Sequence, residues 1–248
     1  DLENPEVTVF VEVRGWRAYI YSSDDVIEGP GGLPIGVEGR ALVLFSGGID
    51  SPVAAWLVAK RGVEVDLLHI VFSSRSSVEV AVEVGRRLAR TWLYGYDPKL
   101  FVIDLRDLIS SARPRLREDY IQVLLRVVMY IAASCLARDH GYDAIVTGES
   151  IGQTSSQTLR NLRIAEEVAE PSVPILRPLA GFDKEDTVSL SRRIGLYDVS
   201  SRAAEFSALA RGPVTTRADP GVLRSELEKL GVREIGERCR NPEVVDLV

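Results

Sequence analysis

The sequence is poor in residues that carry redox, metal and disulfide chemistry. It has two cysteines, two histidines and one methionine in 248 residues. Cys135 and Cys239 stand far apart and make no metal-ligand spacing, so neither a zinc module nor a disulfide scaffold is expected. Cys135 falls in an apolar helical run and reads as a core residue. Cys239, in Arg238-Cys239-Arg240, has cationic neighbours of the kind that lower a thiol pKa; the plainer reading is an incidental surface thiol. Such cysteine usage points to the cytoplasm. Lysine is confined to Lys60, Lys99, Lys184 and Lys229, and asparagine and glutamine are scarce. That composition fits heat tolerance, or simply the base composition of the genome. No run of about 18 consecutive apolar residues occurs, so no membrane span and no membrane partner are expected. No basic-then-apolar leader opens the chain, which starts on Asp1 as an excerpt or processed form would. A net charge of −6 argues against a wholly basic, nucleic-acid-coating surface, while leaving room for a local RNA contact.

A hydrophobic content of 46% supplies the core of one large domain, or one domain plus a fragment. Residues 5–22 alternate (Val7, Val9, Val11, Val13, then Ala18 and Ile20, around Gly15-Trp16), the pattern of a β-hairpin at the edge of another domain. Residues 29–39, with Gly29-Pro30-Gly31-Gly32-Leu33-Pro34-Ile35-Gly36, read as a linker. From residue 40 strands at 41–46, 64–72, 100–105, 143–147 and 173–177 alternate with helices at 51–61, 76–91, 107–118, 119–140, 155–168 and 183–194, and a further helix falls at 222–230. Apolar strands alternating with helices predict an α/β domain over 40–200, a Rossmann-like parallel sheet covered on both faces, followed by a helical extension over 201–248.

The most informative stretch is Ser46-Gly47-Gly48-Ile49-Asp50-Ser51, placed between the apolar run Ala41–Phe45 and a helical segment opened by Pro52. Strand, glycine turn and helix N-terminus together build an anion site, because converging N–H groups and the helix dipole both favour negative charge. Asp50 would repel a phosphate unless a cation lay between them, so the reading is a nucleotide pyrophosphate with Mg²⁺ held by Asp50. The Lys-Ser/Thr ending of a Walker A loop is absent.

Other segments point to the same end of the sheet. Thr147-Gly148-Glu149-Ser150-Ile151-Gly152-Gln153-Thr154-Ser155-Ser156-Gln157-Thr158 follows the fourth strand and holds two of the three glutamines. Helix capping explains its hydroxyls, and ligand contact explains its amides. Arg126 is nearly alone in the apolar stretch from Ile121 to Ala137. It needs either an anionic partner, such as a nucleotide phosphate or ribose edge, or a position at the sheet margin where it can snorkel. In Asp183-Lys184-Glu185-Asp186, Asp183 reads as the N-cap. Lys184 then sits against the dipole, which suits either a bound phosphate or a solvated lysine offset by its acidic neighbours. His69 ends the second strand of this domain and faces either a base or the core. Arg86, Arg87, Arg90, Arg113, Arg115 and Arg117 read as solvated helix faces with room for RNA contact.

Taken together, these segments resemble the tRNA 4-thiouridine synthetases, or tRNA sulfurtransferases, a family of PP-loop ATP pyrophosphatases. The matching stretches are Gly29–Gly36, Ser46–Ser51, Thr147–Thr158 with Asn161-Leu162-Arg163, and Leu176-Arg177-Pro178-Leu179 with Phe182-Asp183-Lys184-Glu185. The resemblance, of archaeal type without a rhodanese domain, implies an adenine-nucleotide α-hydrolase sheet. It also implies that residues 1–28 are the last strands of a THUMP RNA-binding domain. The implied reaction uses ATP and Mg²⁺ to adenylate a tRNA uridine at position eight, after which sulfur displaces AMP; the family is also tied to thiamine biosynthesis. By position, Leu44, Phe45, His69, Ile70, Arg126, Gly148 and Gln157 match the family's ATP contacts, beside the Ser46, Gly47, Gly48 and Ser51 cradle. Asp50 matches its metal-linked aspartate and Lys184 its essential lysine. The implied partners are tRNA and a sulfur donor, either a persulfide protein or sulfide, with homodimer formation left open. Ser207, in Ala204-Glu205-Phe206-Ser207-Ala208, stands where the family commonly has cysteine, and Val127 where it commonly has arginine. Adenylation is therefore better supported than autonomous sulfur transfer. The alternatives are an adenylating protein that does not transfer sulfur itself, with Cys239 as another conceivable carrier, and a different PP-loop ligase.

Overall fold

The computed structural model describes residues 1–202 and 212–248, so the segment containing Ser207 lies outside the described residues. The chain divides into two compact units, Asp1–Gly32 and Leu33–Val248, the division falling inside the glycine-rich stretch. In the first unit β1 (Val9–Arg14) and β2 (Arg17–Ser22) form an antiparallel hairpin, in register from Val9 opposite Ser22 to Arg14 opposite Arg17. Phe10 stacks on Tyr21 across it, with ring centroids 5.2 Å apart.

The second unit is built on a six-stranded sheet. Its strands are β3 (Arg40–Leu44), β4 (Glu64–Val71), β5 (Lys99–Asp104), β6 (Ala144–Val146), β7 (Ile175–Leu176) and β8 (Glu243–Asp246), in spatial order β7-β6-β3-β4-β5-β8. All neighbours are parallel except β8, which runs antiparallel to β5. The chain lays down β3, β4 and β5 in one direction, then returns to the other side of β3 for β6 and β7. That reversal leaves a crevice at the carboxyl ends of β3 and β6, where ligands bind in open α/β sheets.

Around the sheet lie α1 (Asp50–Ala59), α2 (Ser76–Trp92), α3 (Arg106–Ala112), α4 (Ile121–His140), α5 (Leu159–Ala169), α6 (Lys184–Arg193), α7 (Tyr197–Ser200), α8 (Pro220–Leu230) and α9 (Val232–Cys239). Strand side chains alternate between faces, so β3 feeds two cores. Leu42 and Leu44 pack with α4, α5, α8 and α9, while Ala41, Val43 and Phe45 pack with α1 and α2. α4 is long and apolar enough to cross a membrane, but 78% of its most apolar window is buried inside the protein, as in a core helix. A helix expected over 107–118 instead ends at Ala112, and a 3₁₀ turn over Arg113–Arg115 follows with Pro114 inside it. Proline lacks the N–H a continuing helix needs.

Two expectations about the C-terminal part are corrected. Beside the helices α8 and α9, where a wholly helical extension is expected, β8 closes the edge of the sheet, so the sheet is not wholly parallel. Cys239 is neither a surface thiol nor an activated one: it is 1% exposed. Burial, reinforced by a hydrogen-bonded contact with the Cys135 thiol, pushes its pKa up to about 12. The flanking Arg238 and Arg240 are exposed, while the sulfur lies in the core where α9 packs on α4.

Candidate nucleotide site

The Ser46–Ser51 turn sits at the carboxyl end of β3 and runs into α1, whose first residue is Asp50. Two hydroxyls shape it from inside. Ser51 Oγ accepts the Ser46 N–H at 3.0 Å, and Ser46 Oγ accepts the Gly48 N–H at 3.2 Å. Gly47 takes φ +77°, and a Cβ there would lie 3.0 Å from the Ala81 Cα on α2, so both conformation and space require glycine. The cradle therefore nests against α2 while its open side faces the mouth of the crevice.

Leu44, Phe45, His69 and Ile70 line the strand ends beneath it, all buried. His69 Nδ1 donates to the Phe45 carbonyl at 2.9 Å, and its Nε2 hydrogen-bonds the Ser77 hydroxyl at 2.8 Å, which also lies 2.8 Å from the Ser74 carbonyl. The ring thus pins the start of the cradle to β4 and α2. Burial holds the His69 pKa below its ordinary value of 6.5, partly offset by the bond to Phe45. The unfolded chain then takes up the proton first as the pH falls. His69 contributes its stability fully above pH 6.5 and loses it as the pH drops from there through the folded-state value. Unfolding midpoints measured across this window should fall with acidification, with a shallower slope in His69→Gln.

The second wall is the loop after β6. Gly148 lies directly on the cradle backbone: a Cβ at this position would sit 2.9 Å from both Asp50 C and Ser51 N. Beyond it, Ser150 Oγ donates to the Phe182 carbonyl at 2.5 Å, joining this loop to the turn before α6. An open cleft of about 480 Å³ runs between Ser150–Gln153 and Ala180–Lys184. Asp183 caps α6, accepting the Asp186 N–H at 2.9 Å in a capping box. Lys184 then projects from the first turn, and its Nζ donates to Asp50 Oδ1 at 2.8 Å. Gln153 Nε2 donates to Asp50 Oδ2 at 3.2 Å. Both oxygens of Asp50 are thus held, one by each lip of the cleft. Lys184, which the sequence leaves between a bound phosphate and solvent, meets Asp50 in this structure.

Gln157 turns inward: its Oε1 accepts the Ser150 N–H at 3.2 Å and so shapes the loop itself. Thr158 caps α5, and Asn161, fully buried, donates to the carbonyls of Ser155 and Thr215. Arg126 also stays inside. It is 6% exposed, with Nη1 on Glu149 and Nη2 on Ser156 Oγ at 3.1 Å. Its anionic partner is therefore a carboxylate of this chain, which sequence reasoning missed, along with Tyr130 and Arg177. Tyr130 Oη donates to Glu149, and Arg177 Nε donates to Glu149 Oε2 at 2.8 Å. Glu149 and Arg177 stand in two of the stretches that carry the resemblance, but nothing in the sequence signals their pairing with Arg126 and Tyr130, because these residues become neighbours only when α4 packs against β6.

Among the described residues no group of three or more His, Cys, Asp or Glu side chains is placed to hold a metal. Asp50 is the carboxylate beside the cradle. A single carboxylate suits Mg²⁺, which takes its remaining oxygens from nucleotide phosphates and water.

A strand–glycine turn–helix cradle at the switch point, crossed by a lysine from a later helix, defines an α/β nucleotide-binding domain of the PP-loop type. Residues 36–232 match the thiamine biosynthesis protein (ThiI) family, and the chain belongs to that family. A tRNA sulfurtransferase of Desulfurococcus amylolyticus is 51% identical over the whole chain, and one from Pyrobaculum aerophilum is 40% identical over 99% of it. The chain spans about half the length of these relatives, 51% and 49%. A crystal structure of a 4-thiouridine synthetase–RNA complex with bound ATP superposes with a TM-score of 0.88 at 34% identity, covering 99% of this chain and 64% of that one.

Proposed function

We propose that this chain is the catalytic part of an ATP-dependent tRNA sulfurtransferase that adenylates a tRNA uridine, at position eight, for conversion to 4-thiouridine. The observation that carries the reading is the convergence of Lys184 and Gln153 on Asp50 at the mouth of the Ser46–Ser51 cradle. ATP would lie with its phosphates on the cradle N–H groups and its adenosine over the ends of β3 and β4, near Leu44, Phe45, His69 and Ile70. Gly148 and Gln157 would bound it from the second wall, with Arg126 acting on that wall from behind. Mg²⁺, if held by Asp50, supplies charge neutralisation to the leaving pyrophosphate. Lys184 is placed to add to it once a phosphate replaces Asp50 as its partner. The uridine O4 attacks the α-phosphate, pyrophosphate leaves, and the adenylated oxygen is then a good leaving group for sulfur.

The sulfur does not come from Cys239, which is buried on Cys135. Cys135 lies nine residues beyond Arg126 on α4, about 13 Å along the helix axis and toward the other end of the strands. With Ser207 at the family's cysteine position, we assign delivery to an external donor, a persulfide protein or free sulfide. The hairpin unit fits the closing strands of a THUMP module that would bind tRNA, and the setting would be cytoplasmic.

The deciding experiment incubates the full-length protein with unmodified tRNA, ATP, Mg²⁺ and sulfide, and measures pyrophosphate and nucleosides by mass spectrometry. The expected result is tRNA-dependent pyrophosphate release with 4-thiouridine formed. Pyrophosphate release without thiolation would select the adenylating protein that lacks sulfur transfer. Release stimulated by a small carboxylate without tRNA would select another ligase.

A further inference from the structure

The buried charge cluster behind the second wall carries an inference that rests on the nucleotide reading and deepens it. Glu149 is 6% exposed and takes donors from four side chains: Arg126 on α4, Tyr130 on α4 at 2.7 Å, Arg177 after β7 at 2.8 Å and Thr147 at 2.9 Å. Arg177 Nη2 donates to Tyr130 Oη at 2.9 Å, and Arg177 also pairs with Glu166 on α5. Helix α4 and the segments that follow β6 and β7 are thus tied to one carboxylate. As a device for stability this is poor, since burying an ion set commonly gains nothing over apolar packing of the same volume. It even leaves Arg126 Nε buried without a partner. What such a set provides, and apolar side chains do not, is a fixed position.

The fixed position lies one residue from the cradle. Gly148 precedes Glu149 and is in van der Waals contact with the Asp50–Ser51 peptide, so closely that no Cβ fits. We propose that Glu149 is a positioning residue: clamped by Arg126, Tyr130, Arg177 and Thr147, it holds Gly148 against the Asp50–Ser51 peptide and so sets the geometry of the anion cradle. Arg126 then serves the nucleotide through Glu149 and Ser156 rather than by touching it. Charge in the cluster and order in the cradle become one property.

The test is ATP binding by calorimetry with Mg²⁺, each variant held well below its own unfolding midpoint. Wild-type protein that binds no ATP would overturn the nucleotide reading itself, separately from this proposal. Given wild-type binding, Tyr130→Phe and Glu149→Asp, which keep the charge balance, should weaken ATP by roughly three- to tenfold, and Glu149→Gln by more than tenfold. The charge-balanced pair Arg126→Gln with Glu149→Gln should recover thermal stability relative to Glu149→Gln, yet remain weak for ATP, because a purely structural cluster would recover both. ATP dissociation constants within twofold of wild type in Tyr130→Phe and Glu149→Asp, or in the double variant, would overturn the proposal. If Glu149→Gln does not fold, those milder variants still decide it.

Discussion

Asp50→Ala and Lys184→Met should each cut ATP-dependent pyrophosphate release by at least about 10²-fold, the loss that accompanies removal of one preorganised stabiliser of developing charge. Both side chains are partly exposed, 26% for Asp50 and 44% for Lys184. An ion pair of that kind contributes only about 0–1 kcal/mol to folding. The two variants should therefore keep the wild-type circular dichroism spectrum and a nearly unchanged unfolding midpoint. A charge swap, Asp50→Lys with Lys184→Asp, separates chemistry from structure. It restores an ion pair across the lips of the cleft but puts each charge on the wrong side for a metal-bound phosphate. The swap should be as inactive as either single variant. Recovered activity would mean that the pair acts only as a tie between α1 and α6.

Gly148→Ala should be among the most damaging single-methyl changes in the site. The added carbon meets backbone atoms, Asp50 C and Ser51 N at 2.9 Å and Asp50 O at 3.1 Å, not flexible side-chain ends. One of the two loops has to move. If the cradle moves, a displacement of up to an ångström costs about 10²-fold in reactions that depend on alignment. The overpacking itself costs about 1–3 kcal/mol of stability, which lowers the unfolding midpoint by roughly 2–4 °C per kcal/mol for a domain of this size. Enzyme assays at a temperature where the variant is folded should show the activity loss exceeding what the fraction unfolded explains. An alanine variant with near-wild-type activity would show that the wall can retreat without disturbing the cradle.

Much of this site was legible in the sequence because its signals are local. The Ser46–Ser51 turn needs only a strand, glycines and a helix start, all contiguous, and Lys184 was marked by its odd place beside the Asp183 cap. Arg126 was half legible. One arginine in an apolar helix announces a buried charge that needs a partner, but the partner is 23 positions away on a loop whose path depends on the sheet. Glu149, Tyr130 and Arg177 carried no such mark, since a carboxylate in a polar loop, a tyrosine in a helix and an arginine before proline are each unremarkable alone. Cys239 misled for the same reason: neighbours in sequence are cations, whereas its neighbour in space is the Cys135 thiol. Strand β8 escaped because Glu243–Asp246 is short and mixed in character, and only the exposed flank of β5 makes it a strand.

The two outer strands have a consequence for how the protein behaves in a crowded solution. A sheet edge is an open row of hydrogen-bonding groups that can recruit another chain into a growing aggregate. Here one edge, β7, is two residues long and is followed by Arg177-Pro178, so it offers almost no ladder to copy. The other, β8, is four residues long and runs antiparallel with a carboxylate at each end, Glu243 and Asp246. The long, oily strands β3, β4 and β5 that carry the cradle lie inboard of these guards, screened from intermolecular pairing.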